Sequence, residues 1–175
     1  MDLLPALQPR KIILALNISN ILPALLTELA QRGPLTVLDA GNRFPAYRIV
    51  QEIRKRSTQL KEGTERLFLR RAFTAYQTLH LLESASAAVH PHILLDLLAP
   101  LQDDQLHPRE ADRLLTQYLL NIERLALNAP ILLCITTQVR EGKSFLLHRL
   151  TDRADQIFTR TNPTLPQPSQ LPLFP

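Results

Sequence analysis

The chain has 175 residues, enough for one sizeable core and little more. Apolar residues make up 45% and charged residues 21%, both ordinary for a globular protein. No apolar run approaches the roughly 20 residues that cross a bilayer. The basic residues near the start follow the apolar ones, which is not the order of a secretory signal. The single cysteine, Cys134, excludes a disulfide framework. It stands in an aliphatic run and is expected to be a buried, inert thiol, so a cytoplasmic protein is expected. Net charge is +4, and the basic residues crowd one stretch: Arg43, Arg48, Arg54, Lys55, Arg56, Lys61, Arg66, Arg70 and Arg71. Such a block fits either a nucleic-acid or acidic-protein neighbour or a solvated helix face.

Strand and helix signals alternate. Residues 11–17 form a short apolar run, read as a buried strand, and 20–32 read as a helix with Pro23 in its first turn. Gly33-Pro34 stops it. Residues 35–39 are a second strand, and 45–57 a helix with Tyr47, Ile49, Val50 and Ile53 as candidate buried positions. A turn around Gly63 leads to a third strand at 66–70, a helix at 73–88 and a fourth strand at 91–96. The clearest helix spans 109–127, where Leu114, Leu115, Tyr118, Leu119, Ile122 and Leu125 recur at helical spacing. A fifth strand at 130–136, a turn around Gly142, a helix at 145–154 and a last strand at 156–159 follow. The alternation predicts an α/β domain over 1–160, with a mostly parallel sheet. Near-continuous apolar strands call for helices on both faces. Residues 161–175 hold five prolines without helical period and are expected to be an extended tail.

Several of these segments, in this order, resemble the core of RecA-type recombinases. Val37-Leu-Asp-Ala-Gly-Asn-Arg-Phe44 is similar to that family's strand ending in Asp-Thr-Glu-(Asn/Gly)-x-Phe, and Arg48-Ile49 to the start of its next helix. Arg70-Arg-Ala-Phe-Thr-Ala-Tyr-Gln77 is similar to Ala-Arg-Ala-(Phe/Tyr)-x-x-x-x-Gln. Ile93-Leu-Leu-Asp96 sits where a Walker B aspartate closes a strand, and Ile135-Thr-Thr-Gln-Val139 looks like Thr-Asn-Gln-Val. The likeness runs from about residue 11 to residue 160 and implies a RecA-like sheet.

The chemistry of that family is missing. A phosphate loop needs glycines to curl its N–H groups around phosphates, a lysine for their charge and a Ser/Thr for Mg²⁺. The first strand is followed by Asn17-Ile-Ser-Asn-Ile-Leu-Pro23, without glycine or lysine. Ser19 alone remains, and helix capping is the role expected of it. The glutamate that positions water in the family is Gly41 here. Asp39, Gly41 and Asp96 therefore read as vestigial ATPase positions. No cofactor, no metal and no catalytic residue is expected.

Other candidate sites are sparse. The loop that meets DNA in the recombinases is reduced to Val139-Arg-Glu-Gly-Lys143. Arg70, Arg71, Arg140 and Lys143 are the candidate nucleic-acid contacts. No aromatic platform for bases is evident, with no Trp and 5% aromatics. His90-Pro-His92 is too short a pair for a zinc site without acidic or thiolate partners, and is expected at the start of a strand. Asp103-Asp104 read as a solvated loop.

The tail carries the sharpest signal. Gln170-Leu-Pro-Leu-Phe174 matches the Gln-Leu-x-Leu-Phe pentapeptide by which bacterial polymerases and repair factors hold the sliding clamp. An extended peptide can seat Leu173 and Phe174 in an apolar pocket while Gln170 makes polar contacts, with Leu171 and Pro172 between them. Pro168 and Pro172 lower the ordering cost of binding. The combination resembles, in organisation, the ImuA/SulA-like partners of translesion polymerases. It implies a non-enzymatic accessory factor of DNA repair or translesion synthesis, whose core binds a polymerase or recombinase-like protein. Two other readings stay open: an ATPase with an atypical phosphate site, and a DNA-binding module using the basic stretch. No membrane partner is expected.

Overall fold

Short aliphatic runs flanked by Gly, Pro and Asn become strands, and the periodic segments between them become helices. The computed structural model describes residues 4–56 and 60–160, apart from the side chains of Leu60 and Glu62. In chain order the elements are β1 (Ile12–Leu16), α1 (Leu22–Arg32), β2 (Leu35–Asp39), α2 (Ala46–Arg56), α3 (Leu60–Glu65), β3 (Leu67–Arg71), α4 (Ala75–Glu83), β4 (His92–Leu95), α5 (Pro108–Ala126), β5 (Ile131–Ile135), α6 (Ser144–Arg153) and β6 (Gln156–Thr159). Short 3-10 turns lie at Leu4–Ala6, Pro100–Gln102 and Glu141–Lys143. The clamp-like pentapeptide, Gln170 to Phe174, lies outside the described residues.

All the strands join one sheet in the order β3-β2-β4-β5-β1-β6, and every pairing is parallel. Successive side chains of each strand serve opposite faces. Ile13, Ala15, Leu35, Val37, Ile93, Leu95, Leu132 and Cys134 pack with α1 and α2. Ile12, Leu14, Leu38, Leu94, Ile131, Leu133 and Ile135 pack with α4, α5 and α6. The crossovers that step toward β3 therefore use one face and those that step toward β6 use the other, as a uniform crossover hand requires. Among the described residues no helix is long and apolar enough to cross a membrane.

Several local expectations are corrected. Ser19 does not cap α1: Ile21 holds the N-cap position with no side-chain bond, and Ile18 is buried in the core. In α2 only Ile49 and Ile53, four residues apart, turn fully inward, while Tyr47 is 75% exposed and Val50 half-buried. The turn around Gly63 is a short helix, α3. A Cβ at Gly63 would stand 3.3 Å from Ile53 Cγ2, so this close packing of α3 on α2 favours glycine. The helix read to residue 88 stops at Glu83. The Arg124 guanidinium donates there to the carbonyls of Leu82 (2.9 Å), Glu83 (3.3 Å) and Ala85 (3.4 Å), satisfying the carbonyls of a helix end. Thr74 caps the other end, accepting from the Gln77 N–H at 3.2 Å.

Cys134 is fully buried, and burial with the nearby Asp96 charge pushes its thiol up, which makes it inert as expected. At the start of β4 the rings of His90 and His92 stack with centroids 5.6 Å apart. His92 is buried with its nitrogens 3.0 Å from the His90 carbonyl and 3.1 Å from the Ser86 carbonyl. Desolvation holds both imidazoles below the ordinary histidine value. The fold thus favours the neutral rings, whereas the unfolded chain takes up protons once the pH drops below about 6.5. Stability contributed by the pair is present above that pH and is lost as pH falls through the lowered folded values. Thermal melts between pH 7.5 and 5 are expected to show a falling midpoint, with a flatter profile in His92→Phe.

Candidate functional site

In an open parallel sheet, ligands meet the carboxyl ends of strands, where neighbouring strands send their helices to opposite faces. β2 and β4 are such neighbours, with α2 on one face and α5 on the other. Over their ends lies an open cleft of about 530 Å³ whose lining includes Gly41, Asn42, Phe73, Tyr76, Asp104 and Arg140.

The two aspartates beneath it are engaged by the protein. Asp39 is fully buried. Its oxygens accept from the backbone N–H groups of Arg43 (2.9 Å) and Phe44 (3.1 Å) and from Arg71 Nε (3.1 Å). The first two bonds close the turn after β2, in which Asn42 adopts a left-handed backbone, φ 54°. Asp96, also fully buried, sits just past β4 at φ 48°. It accepts the N–H groups of Thr136 (2.6 Å) and Thr137 (3.1 Å) and the hydroxyls of Thr136 (2.5 Å) and Thr137 (3.2 Å). It thereby ties the end of β4 to the end of β5. Neither carboxylate turns an unengaged oxygen toward the cleft. Gly41 is fixed by close approach: a Cβ there would lie 2.5 Å from Asp96 Cβ. Any side chain at residue 41 would collide with the aspartate below it.

The segment between β1 and α1 is equally committed. Asn17 adopts a left-handed backbone, φ 57°, and its N–H donates to the Ile135 carbonyl at 3.2 Å. The N–H groups of Ile21 (3.0 Å) and Leu22 (2.9 Å) both donate to the Ile18 carbonyl. Ile18 buries its side chain in the core beside Leu22 and Leu26. Among the described residues no group of three or more His, Cys, Asp or Glu side chains is gathered as for a metal ion.

The four candidate cations divide. Lys143 is 9% exposed, and its ammonium donates to the carbonyls of Leu101 (2.9 Å), Asp103 (2.6 Å) and Leu106 (3.2 Å). Its three donors are all used inside the protein, pinning the loop before α5 and leaving none for a phosphate. Arg140 stands at the cleft, bonded to Asp104, with its backbone N–H held by Gln102 Oε1 at 2.8 Å. Arg71 serves Asp39. Arg70 is exposed and donates to Ser84 Oγ at 2.8 Å.

Sequence reasoning missed Phe73 and Tyr76. They are 66% and 56% exposed and border both the first cleft and a second one, beside β3 and α4. The Tyr76 hydroxyl donates to Glu110 Oε1 at 2.7 Å. Arg113 grips the same carboxylate at 2.9 and 2.6 Å and, with Tyr76, holds its pKa down to about 2. The signal was readable: Tyr76, Gln77 and His80 share the face of α4 turned away from Leu82, and Phe73 stands just before its N-cap, Thr74. Two aromatic residues so placed are not there for the core.

No protein-family model matches the chain, and no curated protein matches it.

Proposed function

We propose that the chain is a non-enzymatic accessory protein of DNA repair or translesion synthesis, working in the cytoplasm. In this reading the core is a RecA-like binding platform for a polymerase or recombinase-like protein, and the C-terminal segment holds the bacterial sliding clamp. The observation that carries it is the pentapeptide Gln170-Leu-Pro-Leu-Phe174. Two features of the core support it. Asp39 and Asp96 stand at the carboxyl ends of adjacent parallel strands, where the resemblance would put the acidic positions of an ATPase, yet both are engaged by internal donors. The β1–α1 connection, residues 17–21, carries no glycine or lysine, and the N–H groups of Ile21 and Leu22 that follow it donate to the Ile18 carbonyl. Linking a core-bound partner to the clamp raises that partner's effective concentration at the fork.

The test is titration of the full chain with a bacterial sliding clamp beside the double variant Leu173→Ala, Phe174→Ala. Each apolar anchor is worth about 1.5–3 kcal/mol when fully buried, so the double variant is expected to bind more than about 100-fold more weakly. Equal binding by the two proteins, or binding by neither, overturns the tail reading.

A further inference from the structure

β3 is an edge strand: among the described residues it pairs with β2 alone. The Leu35 N–H donates to the Arg66 carbonyl at 2.8 Å, and the Ala72 N–H to the Asp39 carbonyl at 3.0 Å, so the even-numbered residues face β2. Leu67, Leu69 and Arg71 must then turn their N–H and C=O groups outward. An edge with unpaired backbone groups is a template for another strand. Alongside it runs a groove of about 690 Å³ between β3 and α4, lined by Arg70, Arg71, Phe73, Tyr76, Gln77 and His80, with Leu81 at its base. Phe68 and Leu69 are 52% and 38% exposed on the same edge strand. The edge therefore joins unpaired backbone groups, apolar surface and arginines.

The charge around it is one-sided. The charged side chains lining it are the arginines Arg70 and Arg71, with His80 beside them and no carboxylate in the lining. Arg70 has no carboxylate partner among the described residues. Among the described residues two acidic groups bond groove residues: the buried Asp39 takes Arg71, and Glu110, on Tyr76, is held in a bidentate pair with Arg113.

We infer that the groove between β3 and α4 docks an extended acidic segment of a partner protein, which adds to the edge of β3 and seats an aromatic or aliphatic side chain against Phe73 and Tyr76. The inference rests on the reading of the core as a protein-binding platform. A peptide is favoured over a nucleic acid because the outward N–H and C=O groups of β3 match another peptide backbone and have no counterpart in a phosphodiester chain. An acidic segment is favoured over a second copy of this chain because two such edges would bring arginines against arginines.

The experiment pans a random dodecapeptide display library on the full chain, with counter-selection on Phe73→Ser. The expected peptides are net acidic with alternating apolar positions. A selected peptide is expected to bind at least tenfold more weakly to Arg70→Glu and to Phe73→Ser, and more weakly as salt rises. No enriched peptide family, basic or neutral selected peptides, or affinity unmoved by both variants overturns the inference. So does displacement of the peptide by a twenty-residue oligothymidylate, which would make the surface a nucleic-acid site. A concentration-dependent dimer abolished by the same variants would assign the edge to a second copy instead. Both substitutions fall on exposed side chains remote in sequence from the clamp motif. Clamp binding by the variants is expected to stay within twofold of the parent, so failure at the groove and failure of the tail are read separately.

Discussion

Replacing Asp96 by alanine is expected to lower the stability of the fold by about 3 kcal/mol or more, with no nucleotide present. The substitution leaves two backbone N–H groups and two hydroxyls of Thr136 and Thr137 without their acceptor in a fully buried position. It also releases the link from β4 to β5 at the carboxyl edge, where Asp96 holds a left-handed backbone. For a chain of this size the midpoint of a thermal melt is expected to drop by roughly 10 °C. Asp96→Asn keeps one acceptor oxygen and is expected to lose less. An aspartate retained for a metal or a nucleotide would behave differently: its removal would leave the ligand-free melt unchanged.

Gly41→Glu restores the carboxylate that the resemblance would place there, yet it is expected to destabilise the protein and to gain no ATP hydrolysis. The new Cβ would begin 2.5 Å from Asp96 Cβ and 3.3 Å from Arg43 Cγ, and the Asp96 side chain is already fixed by four bonds. Overpacking of this kind costs about 1–3 kcal/mol. The clash is at the Cβ itself, so Gly41→Ala is expected to show most of the same loss in a denaturant titration. Phosphate release at the level of the parent, together with reduced stability in both variants, is the outcome expected. A glutamate variant that folds as well as the parent and hydrolyses ATP would show that the position had kept room for catalysis.

Much of the architecture was legible because it depends on short-range signals. β2 and β6 form at the residues read from the chain: Leu35-Thr-Val-Leu-Asp39 lies between Gly33-Pro34 and a glycine turn, and Gln156–Thr159 follows the end of a helix. α5 differs from its reading by one residue at each end, since Pro108 suits the first helical turn and the apolar stripe from Ala111 to Ala126 is unbroken. Features set by distant partners were not legible. α4 ends where Arg124, some forty positions away, takes its carbonyls. Tyr47 points outward because Ile49 and Ile53 already fill the face of α2 that meets α1. Lys143 read as a loop cation, but three carbonyls before α5 close around it.

The candidate site divides the same way. The lack of glycine and lysine after β1 could be read directly from the chain. That Asp39 and Asp96 serve as structural anchors could not, because their donors come from residues up to 41 positions later. The groove beside β3 required the sheet order, which makes β3 an edge, and the rotation of α4, which turns Tyr76 outward near the exposed Phe73.

The measurement that bears most directly on a clamp-tethered platform independent of nucleotide is a calorimetric titration of the full chain with a bacterial sliding clamp, run with and without Mg·ATP. The expected result is one isotherm, the same in both runs, and no binding heat from ATP alone. Clamp binding that requires ATP, or ATP uptake by the core without the clamp, would contradict it.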